Sequence, residues 1–554
     1  MPQVIENKLK SLGQICVDCI SDNMDKLCKI WTCKQSGYVF GPEINNNPFE
    51  LLPIVKLEEI IKNLSTKDRI KKEVFHFLIV PQLRDLNLNC LEDKDESSDL
   101  LNLASVKCHH LKKLSLSRHH ISEDFITYLP TFEKLQVLDI PYSAVGDHCL
   151  QIIGTSCKEL KELNISHCSG VTDLGIEGLC VRVNHSGRTN ERHGECKKIC
   201  KLSTAGTQIT KQGVQLALSN LPSLKVWNEV SVQLLYNIHY IDFFTKNLED
   251  IPKYSLINIC VSDWRYDPLN TPYIRESLNL IVSICPYIME MKIMAVSGLK
   301  DSDLQSLLSL ERLSELHIGE FENECEITFK DGIAPILKGI GSSLKTLSLS
   351  RIRGINIQVI MEHCTGLRSL TLKFHSDCGT FWKEEDTTKK EDKKRIKLDQ
   401  RVLWQLEKLS LFTGSNGSFY SCPIGSNNLM SLLVTPTLRY ISIHDCTTLT
   451  DSILEEAEKF HNFRNLEYLE LYGCHSVTES SIDLLMNDNN ALKQIVLHHC
   501  KLFTQDAVDC WKDEINANNW FVSIDYWNFE PAPENNSSSS HSSECEYGDY
   551  YYDN

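Results

Sequence analysis

The sequence repeats one phrase three times in succession between Leu438 and Trp511. The copies read LRYISIHDCTTLTDSILEEA from Leu438, LEYLELYGCHSVTESSIDLL from Leu466 and LKQIVLHHCKLFTQDAVDCW from Leu492. Each copy has apolar residues at its first, fourth and sixth positions, a Cys at its ninth and a Thr four residues later. An apolar pattern with helical spacing follows. Each copy therefore predicts a short strand, a turn and a helix.

Neither the strand nor the helix of one copy can bury its apolar face alone, so the copies must stack on one another. This spacing resembles that of leucine-rich repeats. Cys446, Cys474 and Cys500 are expected to be small buried side chains at the turn. The predicted fold is an α/β leucine-rich-repeat solenoid, with a curved parallel sheet inside and helices outside.

Further copies extend the repeats over most of the chain, mostly 23 to 32 residues apart. The predicted starts are Leu83, Leu111, Leu135, Leu160, Ile199, Leu224, Leu256, Ile288, Leu313, Leu344, Leu367, Leu406, Leu438, Leu466 and Leu492. We expect about fifteen strands from them. A second Cys recurs three residues before several starts, where a buried helix-end side chain is expected. These residues are Cys108, Cys157, Cys285 and Cys364.

The chain is expected to have three parts. Residues 1–75 lack the repeat and predict a small all-helical module. Residues 76–530 form the solenoid, with polar or charged loop insertions near 181–198 and 377–401. Residues 531–554 are acidic, rich in Ser and Tyr, and predict a disordered tail.

The composition limits the classes of partner. A net charge of −17 argues against nucleic acid or an anionic membrane and favours a basic protein surface. No apolar stretch resembles a secretory leader or a membrane span, so we expect the protein in the cytoplasm, the nucleus or both. The 23 cysteines are then expected to be reduced thiols.

Catalytic signatures are missing from the sequence. It contains no nucleophile elbow, phosphate-binding glycine loop or paired-histidine zinc helix, and we expect neither an enzyme nor a cofactor. Cys16, Cys19, Cys28 and Cys33 supply enough thiols for a structural zinc. However, the apolar stripe of one helix also explains Cys16 and Cys19, and we favour that interpretation.

The stretch SLGQICVDCI from Ser11 resembles the BC-box, through which substrate receptors of ubiquitin ligases bind the Elongin B/C adaptor. Ser11, Leu12, Cys16 and Ile20 match its pattern. Leu12, Cys16 and Ile20 are spaced to form one helical stripe that can enter an apolar groove. The alternative is an amphipathic helix that only caps the first repeat.

The stretch NPFELLPIVKLEEIIKNLSTKD from Asn47 resembles the cullin-2 box that follows a BC-box. The matching residues, and hence the candidate cullin contacts, are Leu52, Pro53, Leu57, Ile60 and Ile61, the third and fifth with a slip of one residue. Lys56 stands where an apolar residue is expected. The same stretch also resembles the start of an F-box, which would recruit Skp1 and cullin-1 instead.

The phrase SLGQICVDCISDNMDKLC resembles the opening of the Zyg-11/Zer-1 family of Cullin-2 ubiquitin ligase receptors. That resemblance implies a non-catalytic subunit that brings a protein substrate to the ligase. It covers the N-terminal module and the early repeats. The family's armadillo-like part, which recognises N-terminal glycine, is replaced here by further repeats, so that specificity is not implied.

The client is expected on strand positions five and seven, because positions four and six fill the core. The candidate residues are Ser348, Lys373, Phe412, His444, Tyr472 and His498. A third function remains open, in which the chain is a leucine-rich scaffold or inhibitor without a ligase. Adaptor binding separates it from the other two.

Overall fold

The computed structural model describes residues 11–35, 47–65, 70–119, 124–180, 196–262, 274, 276–294, 298–319, 327–374, 403–414, 424–487 and 491–528. The predicted insertion at 377–401, most of that at 181–198 and the predicted tail at 531–554 lie outside these residues. Within them, no helix combines the length and the apolar character that a membrane span requires.

The chain divides into two compact units, Met1–Leu406 and Glu407–Asn554. This division falls inside the region predicted as one solenoid. In its described residues the first unit begins with four α-helices, as expected from the absence of the repeat there: α1 (Leu12–Asp22), α2 (Met24–Gln35), α3 (Ile54–Ser65) and α4 (Lys72–Leu78). Helix α1 packs against α3, and α2 packs against α4.

The first unit continues as repeats of a strand and a helical segment. Its strands are β1 (Asp85–Asn87), β2 (Lys113–Ser115), β3 (Val137–Asp139), β4 (Glu162–Asn164), β5 (Lys201–Ser203), β6 (Asn258–Ser262), β7 (Glu290–Met294), β8 (Glu315–Gly319), β9 (Thr346–Ser350) and β10 (Ser369–Lys373). Strands β1 to β5 pair in chain order and all in parallel, and β6 to β10 do the same.

Helices connect most of these strands. They are α5 (Ser97–Lys107), α6 (Asp124–Tyr128), α7 (Asp147–Ser156), α8 (Asp173–Cys180), α9 (Lys211–Asn220), α10 (Val232–Thr245), α11 (Ser277–Ile284), α12 (Ala334–Ile340) and α13 (Ile357–His363). A 3-10 helix, Asp303–Ser309, takes the place of an α-helix between β7 and β8.

The second unit contains the three copies that define the repeat. Its strands are β11 (Lys408–Phe412), β12 (Tyr440–His444), β13 (Tyr468–Tyr472), β14 (Gln494–His498) and β15 (Ser523–Trp527), and its helices are α14 (Ser426–Leu433), α15 (Asp451–His461), α16 (Glu479–Leu485) and α17 (Gln505–Asn518). The strands pair in parallel and in chain order. The predicted α/β leucine-rich-repeat fold is confirmed.

Two details differ from the expected strands. The repeat at Leu224 contributes only a single bridge, between Lys201 and Val226, instead of a strand. Strand β15 was not predicted, because the Leu skeleton and the Cys of the earlier copies are missing after Phe521. Parallel pairing with β14 extends it nonetheless.

The repeat cysteines occupy the predicted buried positions. Cys446, Cys474 and Cys500 are fully buried, and so are the four cysteines that precede strands. The Cys474 thiol donates to the Ile443 carbonyl at 3.3 Å, and the Cys500 thiol donates to the Leu471 carbonyl at 3.4 Å. Burial raises the pKa of Cys364 to about 12, which favours its neutral thiol. Cys474 and Cys500 are therefore structural donors, and the burial of the whole set disfavours the thiolate that a nucleophile needs.

A threonine and a carboxylate link successive repeats. Thr478, at the start of α16, donates its backbone N–H and its hydroxyl to the carboxylate of Asp451 at 2.8 and 2.7 Å. Asp451 itself begins the helix of the preceding repeat. The same kind of pair joins Thr172 with Asp147, Thr210 with Asp173, Thr328 with Asp301 and Thr504 with Glu479. Each of these Thr residues therefore ties its own helix start to the repeat before it. Thr210, Thr328 and Thr504 also cap their helices, because their hydroxyls accept a backbone N–H from the first turn.

Candidate protein-interaction sites

Helix α1 presents an apolar face to solvent. Ser11 caps the helix by accepting the backbone N–H of Gln14 at 3.1 Å. Leu12 is 77% exposed, and Ile15, Cys16 and Cys19 are exposed with it. Their spacing places these residues on one side of the helix. Ile20, the last residue of the predicted stripe, is half-buried at the border of this face.

The opposite side of α1 fixes the helix to the module. Val17 and Ser21 are buried. The Asn63 side chain on α3 donates to Asp18 Oδ1 at 2.9 Å, and the same oxygen accepts the Gln14 amide at 3.0 Å. The contacts that fix α1 therefore lie on its other side, and they leave the exposed face open to solvent.

The residues predicted to contact a cullin fall into two groups, buried ones within α3 and more exposed ones just before it. Leu57, Ile60 and Ile61 are buried in the core of the module. Their burial disfavours direct contact with a cullin. We assign these three side chains to the packing of α3 against the rest of the module. Pro53 is exposed and Leu52 half-buried. Two residues that were not predicted, Leu51 and Val55, are 80% and 58% exposed.

The four-cysteine set does not form a metal centre in the described part of the chain. Cys16 and Cys19 face solvent, Cys28 is buried, and the side chain of Cys33 lies outside the described residues. Burial is the main reason that the pKa of Cys28 is raised, to about 11.

One group of metal-type ligands converges in the described residues: Glu290 on β7 with Glu315 and His317 on β8. The Lys292 ammonium lies 2.7 Å from Glu290 Oε1 and already supplies a cation there. Strand pairing is enough to bring these side chains together.

The strand register of the second unit aligns its outward-facing side chains in three rows. The starting row is Lys408, Tyr440, Tyr468, Gln494 and Ser523, the middle row is Ser410, Ser442, Glu470, Val496 and Asp525, and the ring row is Phe412, His444, Tyr472, His498 and Trp527. Four of the predicted client residues, Phe412, His444, Tyr472 and His498, are therefore neighbours in the ring row.

The ring row, together with His499 next to its member His498, forms a series of contacts between aromatic side chains. His444 lies 4.4 Å from the Phe412 ring and stacks on Tyr472 at 5.2 Å, between ring centroids. Tyr472 in turn meets His499 at 4.9 Å, and His499 meets Trp527 at 4.6 Å. In the starting row, Tyr440 and Tyr468 stack at 4.4 Å with nearly parallel planes.

Glu470 occupies the centre of this face. Its carboxylate accepts the Ser442 hydroxyl at 2.8 Å and the Tyr440 hydroxyl at 3.5 Å, and His444 Nε2 lies 3.4 Å away. Burial raises the pKa of Glu470, but hydrogen bonds from His444 and Ser442 outweigh it and hold the pKa below its ordinary value. The group is anionic at neutral pH. Asp525 Oδ2 lies 3.4 Å from His498 Nε2 in the same way.

The other two predicted client residues, Ser348 on β9 and Lys373 on β10, belong to the first unit, where both are half-buried. Sequence reasoning missed Glu470, Asp525 and Trp527 on the face of the second unit. It also missed Tyr440 and Tyr468, although the same Tyr at position three of consecutive copies was a usable signal.

No protein-family model matches this sequence. Among solved structures, the chain is similar to the complex of Rad7 and Elc1 in yeast, with 15% identity, 87% of this chain and 98% of that chain covered, and a TM-score of 0.41. It is also similar to an internalin from Listeria monocytogenes, with 13% identity, 70% and 92% covered and a TM-score of 0.33. An LRR protein from Leptospira interrogans matches with 15% identity, 83% and 93% covered and a TM-score of 0.32. Similarity at this level carries no information on function.

Proposed function

We propose that this protein is the substrate-recognition subunit of a Cullin-RING ubiquitin ligase, in which α1 binds an Elongin B/C adaptor and recruits cullin-2. The observation that carries the proposal is the solvent-exposed stripe of Leu12 and Cys16 on a helix anchored by its other side. An exposed apolar face of this kind on a well-held helix is typical of a helix that enters a partner's groove.

The two kinds of surface have different roles in this proposal. The helical module holds the adaptor, and the strand faces of the repeats hold the client. Neither surface needs a catalytic group, because transfer is accelerated when a client lysine is positioned near the ubiquitin carrier. The protein is accordingly a binding subunit rather than an enzyme.

The exposed residues Leu51, Pro53 and Val55 at the start of α3 favour a second candidate. An F-box-like module would use this region to bind Skp1 and cullin-1. The two candidates differ in the helix that meets the adaptor, so substitutions on α1 distinguish between them.

Adaptor capture tests the proposal. Full-length protein is mixed with cell extract, and the bound fraction is probed for Elongin C, cullin-2, Skp1 and cullin-1. We expect the parent to retain Elongin C and cullin-2, and a variant with Leu12→Ser and Cys16→Ser to lose both. Losing the burial of the Leu12 side chain in the adaptor's groove should cost about 2 to 3 kcal/mol of binding free energy, roughly 30- to 150-fold in affinity.

A matched control carries the same residue changes elsewhere. Leu174 on α8 is 68% exposed and Cys510 on α17 is exposed, so Leu174→Ser with Cys510→Ser repeats the chemistry outside α1. This control should bind like the parent, and both double variants should unfold at the parent's temperature. Capture of Skp1 and cullin-1 instead would transfer the assignment to the F-box candidate. A folded parent that retains no adaptor would identify a scaffold without a ligase.

A further inference from the structure

The middle row of the second unit forms the floor of a trough. Three of its five side chains, Ser410, Ser442 and Val496, are small and buried. The ring row lies on one side of them, and Tyr440 and Tyr468 of the starting row lie on the other. The starting row and the ring row lie four residues apart along each strand, which is about 13 Å. Five strands at a spacing of about 4.8 Å span roughly 19 Å, the length of about six residues of extended chain. The trough therefore has the dimensions of one extended peptide.

The two charged groups on this floor are the carboxylates of Glu470 and Asp525. Both lie beside aromatic rings, because Tyr468 and Tyr472 flank Glu470 on the same strand and Trp527 follows Asp525. A carboxylate next to ring faces attracts a cation through charge pairing and through the negative face of the ring. An acidic ligand would be repelled at the same place.

The protein already places one cation against this face. Lys408 Nζ lies 4.6 Å from the centroid of the Tyr440 ring. Lys408 is the only lysine or arginine among the fifteen residues of the three rows, and it stands at their β11 end. Neither Glu470 nor Asp525 is paired with a lysine or arginine of these rows, since their contacts in the rows are to Ser442, Tyr440 and two histidines.

We infer that this trough binds an extended segment of the client through arginine side chains, which pair with Glu470 and Asp525 and stack on the ring row. Arginine fits better than lysine, because its planar guanidinium stacks on a ring and bonds a carboxylate through two N–H groups at once. The net charge of −17 adds long-range attraction for such a segment. That the bound segment belongs to a client rests on the proposed role as a substrate receptor.

Synthetic peptides test the inference on the full-length protein. The probe is a fluorescein-labelled nine-residue peptide with three arginines in a Gly and Ser background, followed by fluorescence anisotropy at low salt. Matched peptides replace every arginine with lysine or with neutral citrulline. We expect the arginine peptide to bind about tenfold more tightly than the citrulline peptide, with the lysine peptide between them.

Substitutions locate the binding. Glu470→Gln keeps the size and the acceptor oxygen, and we expect it to weaken the arginine peptide about fivefold. Glu455→Gln removes the same charge from the exposed face of α15 and should change nothing. Tyr472→Leu should remove the preference for arginine over lysine, because the stacking surface is lost.

Several outcomes would overturn the inference: equal binding of the arginine and citrulline peptides, tighter binding of a matched glutamate peptide, or an equal loss in Glu470→Gln and Glu455→Gln. If Glu470→Gln does not fold, the test is the ratio of arginine-peptide to lysine-peptide affinity, and an unchanged ratio in Tyr472→Leu would overturn the inference. The variant with Leu12→Ser and Cys16→Ser should bind the arginine peptide like the parent. Loss of adaptor capture and loss of peptide binding are thereby distinguishable.

Discussion

Replacement of Cys474 with aspartate should lower the free energy of unfolding by about 3 to 5 kcal/mol, the usual cost of an uncompensated buried charge. The Cys474 side chain is fully buried, and its thiol donates to the Ile443 carbonyl at 3.3 Å. An aspartate carboxylate at this position would face a carbonyl oxygen instead of a donor. Urea unfolding followed by far-ultraviolet circular dichroism measures the change.

Cys510 provides the control for this substitution. It is exposed on α17, so Cys510→Asp should change the unfolding free energy by no more than about 0.5 kcal/mol. Cys474→Ser keeps a small donor and should cost less than Cys474→Asp. Equal stability of Cys474→Asp and the parent would contradict the buried turn position that defines these repeats.

Asp451→Ala should lower the free energy of unfolding by about 2 to 3 kcal/mol, because a charged acceptor is removed from a partly buried site. The carboxylate accepts the backbone N–H and the hydroxyl of Thr478 at 2.8 and 2.7 Å, and it also accepts the Ser481 hydroxyl. Urea unfolding gives the size of the loss. Hydrogen exchange should show faster exchange at the Thr478 amide, where the bond is lost.

Glu455→Ala on the same helix is the matched control, since Glu455 is exposed. This control should stay within about 0.5 kcal/mol of the parent. If the two substitutions cost the same, the contact between Asp451 and Thr478 does not hold the repeats together.

The Asp451 contribution should also depend on pH. Burial raises the pKa of Asp451, but hydrogen bonds from Ser481 and Thr478 outweigh it and hold the folded pKa below the ordinary value of 3.8. Stability from a carboxyl group with a lowered pKa is present above the unfolded pKa and disappears as the pH falls through the folded value. The stability difference between the parent and Asp451→Asn should therefore be larger at pH 7 than at pH 3.

The spacing of Leu438, Ile441 and Ile443, repeated along the chain, was sufficient to predict parallel strands and stacked repeats. This information is local, because alternation along a strand decides which side chains enter the core. The buried cysteines were predictable for the same reason. Strand β15 was missed because it is defined by pairing with β14 rather than by its own leucines.

Which apolar faces remain open depends on the packing between helices. Leu12 on α1 and Leu57 on α3 belong to similar amphipathic patterns, yet one is exposed and the other buried, because α3 uses its apolar face against its neighbours. The register of β11 to β15 likewise placed Glu470 between Tyr468 and Tyr472, and placed Asp525 in the same row beside Trp527. The repeat and its core follow from the spacing of apolar residues within each copy, which is written in the sequence. Which surfaces can meet a partner depends on contacts between segments far apart in the chain, and only the folded structure contains them.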